Sequence, residues 1–167
     1  EPVPERAGFA VRLAANWARL RQTAAGDRKV ALIMAHYPNR DGRIANGVGL
    51  DTPASVFAAM QALADAGYAV QDMPDDSADL IAQLQAGPTN AGWQGRQSEI
   101  TLPLAIYEQH FAALPAPVRE AVIARWGAPT SDPMCDGETL HLPLRRYGHV
   151  MVGIQPARGY NIDPKST

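Results

Sequence analysis

The chain has 167 residues, a formal charge of −2 and 46% hydrophobic residues. This composition is typical of a globular protein and excludes an intrinsically disordered chain. The charge gives no electrostatic reason to expect nucleic acid or an anionic membrane surface as partner, and no apolar run approaches the roughly 18 residues of a membrane helix. A single cysteine, Cys135, excludes an internal disulfide and fits a reducing compartment. We therefore expect a cytoplasmic protein.

The first elements follow from the spacing of apolar residues. Apolar side chains every three or four residues predict a helix from about residue 5 to residue 24; they are Phe9, Leu13, Trp17 and Leu20. The short apolar run 29–35 predicts a buried strand. Thr52 and Pro53 are typical of a helix N-cap and first turn. Residues 68–70 would then return as the second strand of a βαβ unit.

The second half of the sequence predicts more helices and a hairpin. Helical stripes and stop signals place three helices at about 79–85, 104–114 and 117–126. Alternating residues around Gly148 predict a C-terminal β-hairpin, and Pro143 suggests an edge or a bulge in it. We predict a single α/β domain over residues 1–167, Rossmann-like in its first half. In it, helices flank a layered, mostly parallel sheet, and the hairpin is added.

A long polar loop between the first strand and the next helix is the strongest functional signal. It has about 16 residues where two to six are usual, and such length typically marks a functional segment. In open α/β sheets, ligands bind at the carboxyl ends of strands. The loop side chains able to bind or catalyse are His36, Asn39, Arg40, Asp41, Arg43, Asn46 and Asp51.

The end of this loop has two interpretations. Gly47 and Gly49, followed by the helix start at Thr52, could receive an anion on free N–H groups near the helix dipole. Alternatively, the glycines permit a tight turn and Thr52 only caps the helix. The segment is a poor dinucleotide fingerprint, because it lies a dozen residues after the strand and Thr52 replaces the third glycine.

Metal ligation has little support from spacing, since the four histidines and the cysteine form no HxxxH, HExxH or CxxC pattern. His110 lies on an apolar stripe and is expected to be partly buried. His141 and His149 flank the hairpin turn and could approach each other across strands, although most such pairs are surface residues. Cys135 has no neighbouring base in sequence, which argues against a catalytic thiol. The sequence therefore does not identify metal ligands.

Two further loops combine polar groups with an aromatic residue. The first spans 87–93 and includes Asn90 and Trp93; the second is 155–161. The candidate residues of the second loop are Gln155, Arg158, Tyr160 and Asn161. Trp93 and Tyr160 could stack on a flat ligand. Each loop alone could be an ordinary surface connection, but three together favour a shared pocket.

The loop sequences resemble motifs of a known family. YPNRDGRIANGVGLDTPAS at residues 37–55 resembles the signature of the CobN/magnesium-chelatase family. VGIQPARGYNIDPKST at 152–167 is similar to a second motif, and GPTN at 87–90 fits between them. Magnesium chelatases tend to carry a PP-D-K-G-N form in place of NRDGRI, so the resemblance favours the cobalt branch. Ala45 stands where the family usually has glycine.

The resemblance covers essentially the whole chain and implies a specific function. The chain would be an internal fragment of a much larger, tetrapyrrole-binding cobaltochelatase subunit with a chelatase-like fold. Its substrates would be Co²⁺ and hydrogenobyrinic acid a,c-diamide, a corrin precursor in cobalamin (vitamin B12) biosynthesis. ATP and Mg²⁺ would bind two partner subunits of the AAA+ motor type, which agrees with the lack of a GxxxxGK[ST] sequence here. The isolated fragment is expected to be inactive.

Roles for the candidate residues follow from the chemistry of metal insertion. His36, Asp41 and Asp51 are candidates for proton acceptance or metal delivery. The groups expected to bind the peripheral carboxylates of the macrocycle are Arg40, Arg43, Arg158 and the helix start at Thr52. Two alternatives remain: a structural or partner-docking module with the site elsewhere, and an independent nucleotide-binding α/β domain.

Overall fold

The computed structural model describes residues 3–36, 41–45, 47 and 49–156. The helices are α1 (Pro4–Gln22), α2 (Thr52–Asp65), α3 (Ser77–Ala86), α4 (Leu104–Ala112) and α5 (Ala116–Trp126). The strands are β1 (Val30–Met34), β2 (Thr101–Pro103), β3 (Thr139–His141), β4 (Leu144–Tyr147) and β5 (Val150–Ile154). The predicted mixed α/β architecture is confirmed. Over the described residues, no helix combines the length and apolar character needed to cross a membrane.

The larger sheet has the strand order β1-β5-β4 within the described part of the chain. β1 and β5 are parallel, with Val30 opposite Val150 and Met34 opposite Ile154. β4 and β5 form the predicted antiparallel hairpin. The expectation of a mostly parallel sheet is wrong, because this described sheet has one parallel and one antiparallel pair. β2 and β3, of which β2 was not predicted, form a separate antiparallel pair.

The predicted strand at residues 68–70 is absent, and β5 takes its place beside β1. The segment instead crosses the end of the hairpin, where the Ala69 carbonyl accepts a hydrogen bond of 2.8 Å from the His149 N–H. Gly148 lies in the same turn at φ +67°, and a Cβ there would be 2.5 Å from the Ala69 oxygen. The segment therefore meets the sheet at one point of close backbone approach and does not extend the ladder.

The core lies between the larger sheet and the pair of helices α2 and α3. β5 is the middle strand, and its residues Val150, Val152 and Ile154, which share one face of the sheet, are fully buried. Met60 of α2 and Leu80 of α3 belong to the same buried cluster. This packing holds the carboxyl ends of β1 and β5 side by side, and both polar loops leave the sheet from there.

Candidate functional site

Three loops meet at the carboxyl ends of β1 and β5. The Gln155 N–H, directly after β5, donates to the carbonyl of Met34, the last residue of β1, at 2.8 Å. The Gln155 carbonyl in turn accepts a hydrogen bond of 3.2 Å from the buried Asn90 side chain. The beginnings of the first and third loops are therefore joined to the 87–93 loop at one edge of the sheet, which is where ligands bind in open α/β sheets.

Asp41 connects the first loop to the second through its side chain. One carboxylate oxygen accepts a hydrogen bond of 2.6 Å from the buried Thr89 hydroxyl. The other lies 2.5 Å from the Arg96 guanidinium. The Asp41 carbonyl also accepts from the Gln85 side chain at 3.0 Å. Asp41 thus fixes its loop against residues more than forty positions along the chain.

Arg96 was not predicted as part of the site. Besides Asp41, its guanidinium donates to the Thr89 hydroxyl at 3.0 Å and to the carbonyls of Gln85 and Gly87 at 3.2 and 3.3 Å. An arginine with its planar array of donors can hold several acceptors in fixed directions. Arg96 therefore ties the end of α3, the following loop and the Asp41 loop into one unit.

The surroundings of Asp41 favour its ionised form. Burial raises the pKa of the Asp41 carboxyl. Hydrogen bonds from Thr89 and Arg96 and the charge of Arg96 together lower this pKa by more than burial raises it, so the pKa lies below the ordinary 3.8. Both carboxylate oxygens already accept strong hydrogen bonds. This geometry suits a carboxylate that positions the loop better than one that exchanges protons near neutral pH.

His36 is the buried ionisable group of the first loop. Its side chain is 1% exposed and lies two residues after β1. Neither ring nitrogen has a hydrogen-bond partner among the residues that the structure describes. Burial lowers the pKa of His36 below 6.5, and the nearby Asp41 carboxylate offsets part of this effect. The imidazole is therefore neutral at pH 7, with an unprotonated nitrogen able to accept a proton.

The end of the first loop is a capped tight turn. Gly47 and Leu50 form an isolated antiparallel bridge, with Gly49 at φ +74° between them. The helix cap is Asp51, not Thr52 as predicted: the exposed Asp51 carboxylate accepts a hydrogen bond of 3.0 Å from the Ala54 N–H. Thr52 is the first helical residue. The Asp51 side chain thus already satisfies one of the free N–H groups expected to bind an anion.

Several predicted site residues lie outside the described residues, so their positions stay untested. They are Asn39, Arg40, Asn46, Arg158, Tyr160, Asn161 and the side chain of Arg43.

The other histidines are engaged elsewhere or exposed. Both ring nitrogens of His141 have partners: the Ser98 hydroxyl at 2.6 Å and the Asp136 carboxylate at 3.0 Å. His149 Nδ1 is 2.7 Å from the Gly26 carbonyl, so His141 and His149 make separate contacts. His110 is exposed, contrary to the prediction that it is partly buried. The described residues contain no cluster of three potential metal ligands.

Trp93 stacks on a protein side chain and not on an open pocket. Its ring lies 4.0 Å from the His141 ring, with an angle of 7° between the planes. The indole N–H also donates to the Pro133 carbonyl at 3.0 Å. One face of the Trp93 ring, which the sequence predicted to stack on a flat ligand, therefore packs on His141 and joins the second loop to β3.

The whole chain matches one known protein family. The family model described as CobN/Magnesium Chelatase matches residues 1–167. The chain belongs to the CobN/magnesium chelatase family.

CobN proteins are among its curated relatives. The chain is 48% identical, over its full length, to the aerobic cobaltochelatase protein CobN of a Sinorhizobium species. It is 45% identical to the CobN protein of Pseudomonas aeruginosa over 96% of the chain. Identity to a magnesium-chelatase subunit of Rhodobacter capsulatus is 28% over 98% of the chain. Each match covers 13% of the relative, so this chain spans about an eighth of the length of the relatives.

A solved structure supports the same family. The catalytic subunit of cobaltochelatase from Mycobacterium tuberculosis matches with a TM-score of 0.79 and 35% identity. The match covers 99% of this chain and 14% of that one. The fold described above is therefore the fold of this part of a CobN-type protein.

Ala45 stands where the resemblance of the first motif predicts glycine. Ala45 has φ +56°, in the left-handed region that glycine adopts without strain, and its side chain is buried in the core. The buried methyl group compensates for part of the backbone strain. By contrast, Arg96 lies outside the three segments that identify the CobN/magnesium chelatase family, so neither motif nor spacing indicated it.

Proposed function

We propose that this chain forms one wall of the tetrapyrrole site of a cobaltochelatase large subunit. The subunit would insert Co²⁺ into hydrogenobyrinic acid a,c-diamide in the cytoplasm, driven by ATP hydrolysis on two AAA+-type partner subunits. The higher identity to CobN proteins than to the magnesium-chelatase relative supports cobalt over magnesium.

The observation that carries this proposal is the buried, neutral His36 beside the Asp41 network. Metal insertion replaces protons on the inner nitrogens of the macrocycle, so each nitrogen proton needs an acceptor. The unprotonated nitrogen of His36 is our candidate for such an acceptor. Asp41 positions the loop and holds a negative charge near the imidazolium that forms.

The other residues would serve in binding. Asn90 and Gln155 lie at the edge of the sheet, where the Asn90 side-chain amide donates to the Gln155 carbonyl. Arg40, Arg43 and Arg158 remain candidates for the peripheral carboxylates, since guanidinium groups bind carboxylates in bidentate pairs.

The test replaces His36 by Gln in the full-length subunit and assays cobalt insertion with reconstituted partner subunits. Loss of a proton acceptor typically lowers the rate 10²–10⁴-fold, while tetrapyrrole affinity, measured by fluorescence quenching, should change less than threefold. His110→Gln is the matched control, because His110 is exposed on α4. Unchanged turnover in His36→Gln would remove His36 from the mechanism.

Two further substitutions separate this proposal from the docking alternative. Asp41→Asn should reduce insertion by displacing the loop, and Arg158→Ala should weaken tetrapyrrole binding. If His36, Asp41 and Arg158 variants all bind and metallate the tetrapyrrole normally, the chain is a structural or partner-docking module without catalytic residues.

A further inference from the structure

Helix α1 presents a stripe of large apolar side chains to solvent. Phe9 and Trp17 are 63% and 65% exposed, and no residue of α1 is buried. Phe9, Leu13, Trp17 and Leu20 follow the helical repeat and form one continuous face; we call these four residues the α1 face.

The helix has favourable charges at its ends but none of the burial that usually stabilises a helix within a protein. It has 19 residues, no side-chain hydrogen bond at its N-cap, and Gly8 within its second turn. Helices in proteins owe most of their stability to burial of an apolar face against the rest of the structure. A 19-residue helix with an uncovered α1 face therefore requires a surface that covers it.

The charges of α1 restrict what that surface can be. The helix carries four arginines and one glutamate, so its net charge is opposite in sign to that of the whole chain. Within the described part of the chain, no ion pair joins an α1 arginine to a carboxylate. Arg12 and Arg19 are seven residues apart and flank the α1 face on one side. Two copies pairing through this face would bring arginines together, which disfavours a second copy as the occupant.

We propose that the α1 face docks onto a surface of the same large subunit outside residues 1–167, with an apolar centre and carboxylates on its rim. The curated relatives contain ample polypeptide for this, since the matched region is 13% of their length. Two surfaces of one polypeptide meet at a high effective concentration. A single helix face is therefore sufficient to fix the position of this region.

The test is hydrogen–deuterium exchange of the full-length subunit, followed by mass spectrometry. Peptides from α1 should exchange slowly in the unmodified subunit, without partner subunits. Leu13→Glu places a charge in the α1 face and should accelerate exchange of α1 at least tenfold. Val11→Glu is the matched control, because Val11 is 69% exposed but lies on the opposite side of the helix, and it should leave exchange unchanged.

A second variant keeps the test decisive if Leu13→Glu disturbs the whole subunit, which faster exchange of β5 peptides would reveal. Arg12→Glu combined with Arg19→Glu changes only exposed flanking residues, and it should also accelerate exchange of α1. The proposal is overturned if α1 exchanges rapidly in the unmodified subunit or if the double variant exchanges normally. It is equally overturned if slow exchange appears only after adding motor subunits or raising the concentration of the subunit.

Discussion

The Arg96 guanidinium lies 2.5 Å from the Asp41 carboxylate, although the two residues are 55 positions apart in sequence. This ion pair is partly shielded from solvent and is joined by hydrogen bonds to Thr89 and to the end of α3. It connects the loop that follows β1 to the loop that follows α3. The arrangement of the candidate site depends on this pair.

Replacing Arg96 by Met should lower the free energy of unfolding of the chain by about 1.5–3 kcal/mol, the range for hydrogen bonds to charged groups. The substitution leaves Asp41 without its cation and removes one of the two donors to the Thr89 hydroxyl, while the Ala91 N–H still donates to it. Urea denaturation followed by circular dichroism measures the change. Arg145→Met is the control: Arg145 is 4.0 Å from Glu99, both are more exposed, and its loss should cost at most about 1 kcal/mol. Equal effects of the two substitutions would contradict a central role for Arg96.

The lowered pKa of His36 predicts a pH-dependent stability. In the folded chain His36 loses its proton below the ordinary value of 6.5, so between the two pKa values the unfolded chain binds more protons. Its stabilising contribution is present above pH 6.5 and is lost as the pH falls towards the folded pKa. The difference in unfolding free energy between the native chain and His36→Gln should therefore grow from pH 5.5 to pH 7.5. A difference that stays constant over this range would show that His36 is not held neutral by burial.

Capping by Asp51 predicts a difference between two substitutions at one position. Asp51→Ala should destabilise the chain by about 1 kcal/mol, since it removes the acceptor for the Ala54 N–H. Asp51→Asn retains a capping oxygen and should change stability little. In the full-length subunit, Asp51→Asn should also retain cobalt insertion. Loss of insertion in Asp51→Asn, with stability unchanged, would instead assign Asp51 to proton transfer.

The close approach of the hairpin turn to residue 69 predicts that Gly148→Ala is strongly destabilising. The substitution forces a left-handed φ on alanine and brings its Cβ into the Ala69 carbonyl, at a cost of about 3 kcal/mol or more. Gly95→Ala is matched in φ, at +74°, but has open space around it, so it should cost about 1–2 kcal/mol. Thermal denaturation of both variants separates the cost of the clash with Ala69 from the cost of the left-handed φ. Similar melting temperatures for the two variants would contradict a steric clash at residue 148.

Sequence patterns predicted the helices well because each has a local signal. The stripe that predicted α1 and the helix start at Thr52 and Pro53 depend only on neighbouring residues. The prediction of a strand at 68–70 was wrong because strand pairing is not local. β1 pairs with β5, and no local sequence pattern shows that β5 is preferred over the nearer segment. The three residues of β2 are too few for a periodic signal.

The same distinction applies to the site. Loop length and strand ends correctly indicated that the segments following β1 and β5 lie at one edge, as the contact between Gln155 and Met34 shows. The roles of individual side chains were less accessible. Thr52 and Asp51 are both good caps in sequence, and only the geometry selects Asp51. Arg96 and the stack of Trp93 on His141 depend on contacts between distant segments, which composition does not encode.

The parallel pairing of β1 with β5 also constrains how this region is made. Val30 leaves the ribosome long before Val150, its partner in the sheet. Until β5 is synthesised, the nascent chain holds β1 without its neighbour, and contacts between such distant segments form slowly because the intervening polypeptide must first be ordered. The two strand ends that frame His36 and Gln155 therefore become aligned only after β5 has been synthesised. Premature termination before residue 150 would yield a polypeptide that retains His36, Asp41 and Arg96 but lacks the middle strand of the larger sheet.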